Sequence, residues 1–389
     1  MIWSCHRESV RWPMTVPLAA VVILGLANCS VDAEPTIEGL QPDPSPPVTF
    51  EPGDVELLQP RAVHHATVLA DGRVLVTGGC TEPGCEGFDA ARASEIFNPT
   101  KAVFVPGPTM PTLSASGTAT LLGDGRVLLT GGYPGEGMAP TSNAQVFDPG
   151  TGRFSAVAPM TTERATHTAT LLRNGRVLMS GGYDGQDEPL ASTELFDPRT
   201  DSFTAGPDLS SPRAAHSAVM VNDLVVLVGG TVGGPALGTT EVLHQGHWGP
   251  GPELRTPQVK HAVAALPGAR ILVVGGSASI EGRARLASTE LIHLMTGEVS
   301  GGPSLSEGEY QLDGAVVALG DGRVVIAGGQ RINVYDPADN TMTVLRNPVL
   351  PRRSFVTATP VGRQTVLVAG GYDDAIVPTA DAQLVQTPR

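Results

Sequence analysis

The sequence is poor in aromatic residues (4%), in charge (16%) and in cysteine (4), and it has no apolar run long enough to cross a bilayer as a helix. Low charge beside 47 glycines and 34 prolines excludes long solvated helices and coiled coils. Such a composition suits many short strands joined by turns. A mean hydropathy of +0.04 argues against a multi-spanning membrane protein. No Lys/Arg run offsets the formal net charge of −14, so a phosphate backbone would be repelled and nucleic acid is not an expected partner. P-loop, H-E-x-x-H, nucleophile-elbow and dinucleotide signatures are all missing.

What is present begins with an address. Arg7 and Arg11 precede a fourteen-residue apolar stretch, Met14 to Ala27, the size of a signal-peptide core. Residues 1–28 are read as a signal peptide. The stretch runs into Leu26-Ala27-Asn28-Cys29, which resembles a bacterial lipobox with Cys29 as the acylated residue. Asn28 departs from that pattern, so a competing cut after Ala33, releasing a secreted protein, stays open. Ser30 after Cys29 favours the outer membrane. Residues 29–50 are polar and Pro-rich and read as a tether. The expected location is the cell envelope, with membrane contact only through a lipid on Cys29. Cys80 and Cys85 share the loop GGCTEPGCEG and are expected to form a small disulfide in that oxidising setting.

Internal repetition then organises residues 51–389. VHHATVLADGRVLVTGG (63–79), SGTATLLGDGRVLLTGG (116–132) and THTATLLRNGRVLMSGG (166–182) align without gaps. The frame recurs, more worn, at Gly229-Gly230, Gly275-Gly276, Gly328-Gly329 and Gly370-Gly371. Successive first glycines lie 53, 50, 48, 46, 53 and 42 residues apart, which makes seven units.

Each unit divides into four strands. Ala66, Ala119, Ala169 and Ala358 mark a first strand small enough for a crowded axis. Asp71-Gly72, Asp124-Gly125, Asn174-Gly175 and Asp321-Gly322 are hairpin pairs that supply positive φ. The second strand, as in RVLLTGG, is almost wholly apolar, as a strand packed on both faces must be. The third ends in Asn-Pro or Asp-Pro turns at 98–99, 148–149, 197–198 and 336–337. Phe104, Phe154, Phe203, Trp248 and Met342 mark the fourth.

These marks together resemble the kelch repeat, and the H-x-A-T-x-L-x-D-G-R-V-L-x-x-G-G form resembles its galactose-oxidase-like branch. The resemblance implies an all-β, seven-bladed β-propeller of four-stranded antiparallel blades, with six blades as the fallback. The last unit has only three strands, and TFEPGDVELLQP (49–60) reads like a fourth, so it is expected to close the last blade.

Function must come from a site rather than from the fold. The distance from the first glycine to the third-strand marker is 17, 14, 13, 12, 15, 5 and 13 residues around the ring, so the sixth blade has almost no loop and the loop face is notched. Arg61, Arg164, Arg213 and Arg353, and His64, His167, His216 and His261, recur at fixed offsets before the glycine pairs. Converging on the channel at the loop face, they are the candidate ligand-binding residues, suited to carboxylates or anionic sugars. The same regularity is what a structural role predicts, each side chain satisfying carbonyls of its own blade, whereas functional sites break symmetry. The recurring third-strand glutamates read as structural for that reason. Acidic loops at 184–188 and 373–374 show no full ligand set for a cation.

Galactose-oxidase-like proteins hold copper with a Tyr-His pair, a second Tyr and a second His. Here the five tyrosines (133, 183, 310, 335, 372) precede no histidine, and three directly follow a glycine pair. No metal or other cofactor is therefore expected. The expectation is a monomeric binding module on the cell envelope, meeting a protein or glycan through its loop face. A carbohydrate-active enzyme, similar to the kelch propellers that epimerise sialic acid, is the alternative.

Overall fold

A computed structural model describes residues 53–85, 92–135, 137–280, 284–345 and 351–388. The signal segment, the tether and Cys29 lie outside the described residues. The described residues form 28 strands in seven four-stranded antiparallel sheets, a seven-bladed propeller. Blade 1 runs outward through His65–Val68, Val74–Thr77, Ala93–Asn98 and Val103–Thr109, and blades 2 to 6 repeat that order. Each innermost strand contacts the next around the axis, and Thr357–Pro360 of blade 7 returns to His65–Val68 of blade 1. The ring is closed.

Closure uses the first described strand. Gly53–Arg61 pairs with Thr379–Gln386 as the outer strand of blade 7, with Gly53 opposite Leu384 and Val55 opposite Ala382. The two ends of the propeller thus share one sheet, and blade 7 has four strands like the others.

Local chemistry explains the regularity. At the hairpins of blades 1, 2, 3 and 6 the glycine takes φ near +80° to +90°, and the preceding Asp or Asn accepts the N–H of the residue after the glycine, as Asp71 does from Arg73 at 3.0 Å. The second strands, such as Val127–Thr130 and Val177–Ser180, are buried along their whole length between neighbouring blades. Farther out, Phe97 meets Phe104, Phe147 meets Phe154 and Phe196 meets Phe203, with centroids 4.9–5.0 Å apart. Each pair sits directly across the third and fourth strands and fills the outer wedge between blades.

Candidate functional site

The candidate arginines do not converge on the channel. Arg61, Arg164 and Arg213 are fully buried within the blades, where backbone carbonyls and a glutamate carboxylate stand in for water around each guanidinium. Arg164 donates from Nη1 to the carbonyl of Gly181 (2.7 Å) and from Nη2 to Glu194 Oε1 (3.1 Å). Arg61 and Arg213 repeat this with Gly78 and Glu95, and with Gly229 and Glu241. Arg353 pairs with Asp381 in blade 7. The glutamates are occupied as well: Glu194 accepts the N–H groups of Thr161 and Thr162, and Glu95 those of Leu58 and Gln59. Each Arg–Glu pair therefore ties an inter-blade connection to its third strand. The contacts it makes lie inside the protein, and only the Nε of Arg164 and of Arg213 finds no acceptor among the described residues.

Blade 6 replaces both members of the pair. Glu309 holds the arginine position, since its carbonyl accepts from Gly276 just as that of Arg213 accepts from Gly182. Asn333 holds the glutamate position and accepts the Ser306 N–H. Burial first, and then the nearby Glu307 carboxylate, push the Glu309 carboxyl up to about 8.

The candidate histidines do line the channel wall, and three of them, His64, His167 and His216, clamp one blade to another. His64 Nε2 lies 3.0 Å from Thr357 Oγ1, His167 Nε2 3.2 Å from Thr130 Oγ1, and His216 Nε2 3.1 Å from Thr168 Oγ1. All three thereby reach into the preceding blade. Burial holds all four imidazoles neutral: His64 falls to about 3, His261 to about 4, and His167 and His216 well below the usual range. Neutral, enclosed rings of this kind do not attract an anionic sugar.

The asymmetry lies one residue earlier. Val63, Ser116, Thr166, Ala215, Lys260, Gln311 and Phe355 occupy one equivalent position in the seven blades, all with φ between +51° and +58°. Glycine would adopt this left-handed backbone at least cost, yet none of the seven is glycine. All seven line the channel mouth, a cavity of about 590 Å³. Their side chains differ from blade to blade where the surrounding frame does not. Lys260 extends its ammonium to the Ile280 carbonyl (2.6 Å), and burial lowers its pKa. Asp313 and His65 face the same space, where burial lowers the His65 pKa and the Asp313 carboxylate raises it. Tyr133 and Tyr183 complete the mouth on the side of blades 2 and 3, their phenols kept protonated by burial and by Asp187.

Sequence reasoning passed over these residues because it searched for recurrence. The available signal was the opposite: a position fixed in the frame but free in identity.

The expected disulfide is present between Cys80 and Cys85. Among the described residues, no three His, Cys, Asp or Glu side chains are grouped to hold a metal ion. His64, His167 and His216 place Nε2 on threonine hydroxyls, and no tyrosine directly precedes a histidine in the sequence, so the donor set does not fit the copper centre of galactose-oxidase-like proteins.

No family model matches the chain, and no curated protein matches it. Solved structures do. A fungal alcohol oxidase of the AA5 family, in complex with copper, is 16% identical, over 87% of this chain and 76% of that one, with a TM-score of 0.67. The structure of YjhT is 13% identical, over 85% of this chain and 96% of that one, with a TM-score of 0.57. These likenesses support the kelch-like propeller fold.

Proposed function

We propose that the protein is an exported binding module and that a glycan seats in the channel mouth of the loop face. One observation carries this reading: the mouth is where seven equivalent positions differ, each holding a side chain on a backbone that favours glycine. The lining suits a polyhydroxylated ligand. Ser116, Thr166, Gln311, Lys260 and Asp313 supply donors and acceptors, and Tyr133 and Tyr183 supply aromatic surface. The arginine set is not part of this site. Export rests on the apolar segment ending at Cys29, with a lipid on that cysteine or a cut after Ala33 as its two outcomes.

A glycan array followed by calorimetry tests the reading. Lys260→Ala and Tyr133→Ala should each weaken the retained glycan at least tenfold while leaving the circular dichroism spectrum unchanged. Absence of any retained glycan, or full binding by both variants, would refute it.

A second reading, a carbohydrate-active enzyme, draws on Lys260, Asp313 and His65 sharing the channel, since such groups can move protons on a sugar. Proton NMR of bound sugars over time separates the two readings. Unchanged anomeric signals leave a binding module.

A further inference from the structure

The channel mouth is bordered by a belt of backbone hydrogen bonds. Thr166 donates its N–H to the Ser116 carbonyl, Ala215 to Thr166, Lys260 to Ala215 and Gln311 to Lys260, at 2.8, 3.3, 3.2 and 2.9 Å. Each bond links the left-handed residue of one blade to that of the blade before. Four of the seven steps are made in this way. The other three, from Gln311 to Phe355, Phe355 to Val63 and Val63 to Ser116, carry no such bond among the described residues. Among the described residues, the N–H groups of Phe355, Val63 and Ser116 have no acceptor. The belt is open across blades 7, 1 and 2.

A second cavity, of about 570 Å³, adjoins that opening. Among the described residues, Val63, Ser116, Tyr133 and Phe355 line both cavities, so the three residues at the open steps are also the neck between them. The two lobes differ in character. The channel lobe holds Lys260, Gln311 and Asp313, whereas the second is walled mainly by Tyr372, Met138, Ala139 and the Cys80–Cys85 disulfide, with Asp187 as its one charged lining residue among those described. Phe355 and Tyr372 meet edge-on there, with centroids 6.0 Å apart and planes at 86°. Met138 is 56% exposed beside them, a large apolar side chain with no burial of its own to explain it.

We propose that the glycan seated in the channel mouth carries an aryl aglycone, which passes the neck and lies in this second cavity. The inference rests on the glycan reading of the mouth and extends it to the ligand's other end. Aromatic edges, a thioether and disulfide sulfur are favourable neighbours for a flat aromatic ring. The unpaired N–H groups at the neck suit the acceptor oxygen that joins sugar to aglycone.

Matched methyl and p-nitrophenyl glycosides of a panel of neutral hexoses, titrated into the intact protein by calorimetry, test it. For every sugar that binds, the aryl member should bind about tenfold tighter or more, because it alone removes apolar surface from water in the second lobe. Met138→Glu, at an exposed position, should collapse that ratio towards one while leaving the methyl glycoside affinity unchanged. Equal affinities within each pair, or a ratio untouched by Met138→Glu, would overturn the aglycone site and leave the glycan reading standing. No binding by either member of any pair would overturn both.

Discussion

The guanidinium of Arg164 meets the carboxylate of Glu194 at 3.1 Å, with both side chains shut away from water inside blade 3. The pair reappears as Arg61 with Glu95 in blade 1 and as Arg213 with Glu241 in blade 4. Removing one member strands the other's charge in a low-dielectric interior, a loss larger than the pair's net contribution. Arg164→Ala is therefore expected to destabilise the propeller by about 3–5 kcal/mol. Arg164→Met with Glu194→Leu, which removes both charges, should be milder than the single change. Urea denaturation of the three proteins checks the order; a single variant no worse than the double would contradict it.

Acid and alkali should act through different blades. His64 and His261 titrate near 3 and 4 in the fold, against about 6.5 in the unfolded chain. The unfolded chain binds more protons below that value, so their contribution is present above pH ~6.5 and lost as pH falls towards 4 and then 3. Melting temperature measured from pH 7 to pH 3.5 should drop, and His261→Gln should flatten the profile.

Glu309 runs the other way. Its carboxyl, raised to about 8 in the fold from an ordinary value of 4.5, holds a proton that the unfolded chain releases. Its contribution is complete below pH ~4.5 and declines as pH rises through about 8. Glu309→Gln keeps a neutral group of the same shape and should remove the decline between pH 5 and 9. A decline that survives this change would place its origin elsewhere.

Backbone sign separates two small substitutions. Ala215 has φ +51°, so Ala215→Gly is expected to stabilise by up to about 1 kcal/mol, by relieving a left-handed alanine. Gly182 has φ +98°, and a Cβ there would lie 2.6 Å from the Ala165 carbonyl oxygen. Gly182→Ala should cost at least ~2 kcal/mol, because backbone atoms cannot yield as a flexible side chain can. Thermal unfolding of both variants reads the sign directly.

Deleting Gly53–Arg61 would strip blade 7 of its outer strand and expose the Thr379–Gln386 edge. Light scattering should show association of the truncated protein at concentrations where the full chain stays dispersed. An equally stable, dispersed truncation would mean that closure is not held by this strand.

Much of this architecture was readable in the chain. The glycine doublets, the Asp-Gly hairpins and the paired phenylalanines are local demands, for positive φ, tight turns and wedge filling, and a local demand leaves the same mark each time it recurs. Closure was readable too, because a three-strand last unit and a spare strand before the first complement each other. The proposed binding site was not. Arg61 and Arg164 looked like ligand donors until tertiary structure placed Glu95 and Glu194 against them, some thirty residues away in sequence. Lys260, Gln311 and Phe355 carried no repeating signal, and only the ring brought them to one mouth. Sequence by itself determined the blade, since a blade is made by neighbours along the chain. Which polar groups are spent inside the protein, and which are left for a ligand, was decided by contacts between blades, whose partners no local pattern specifies.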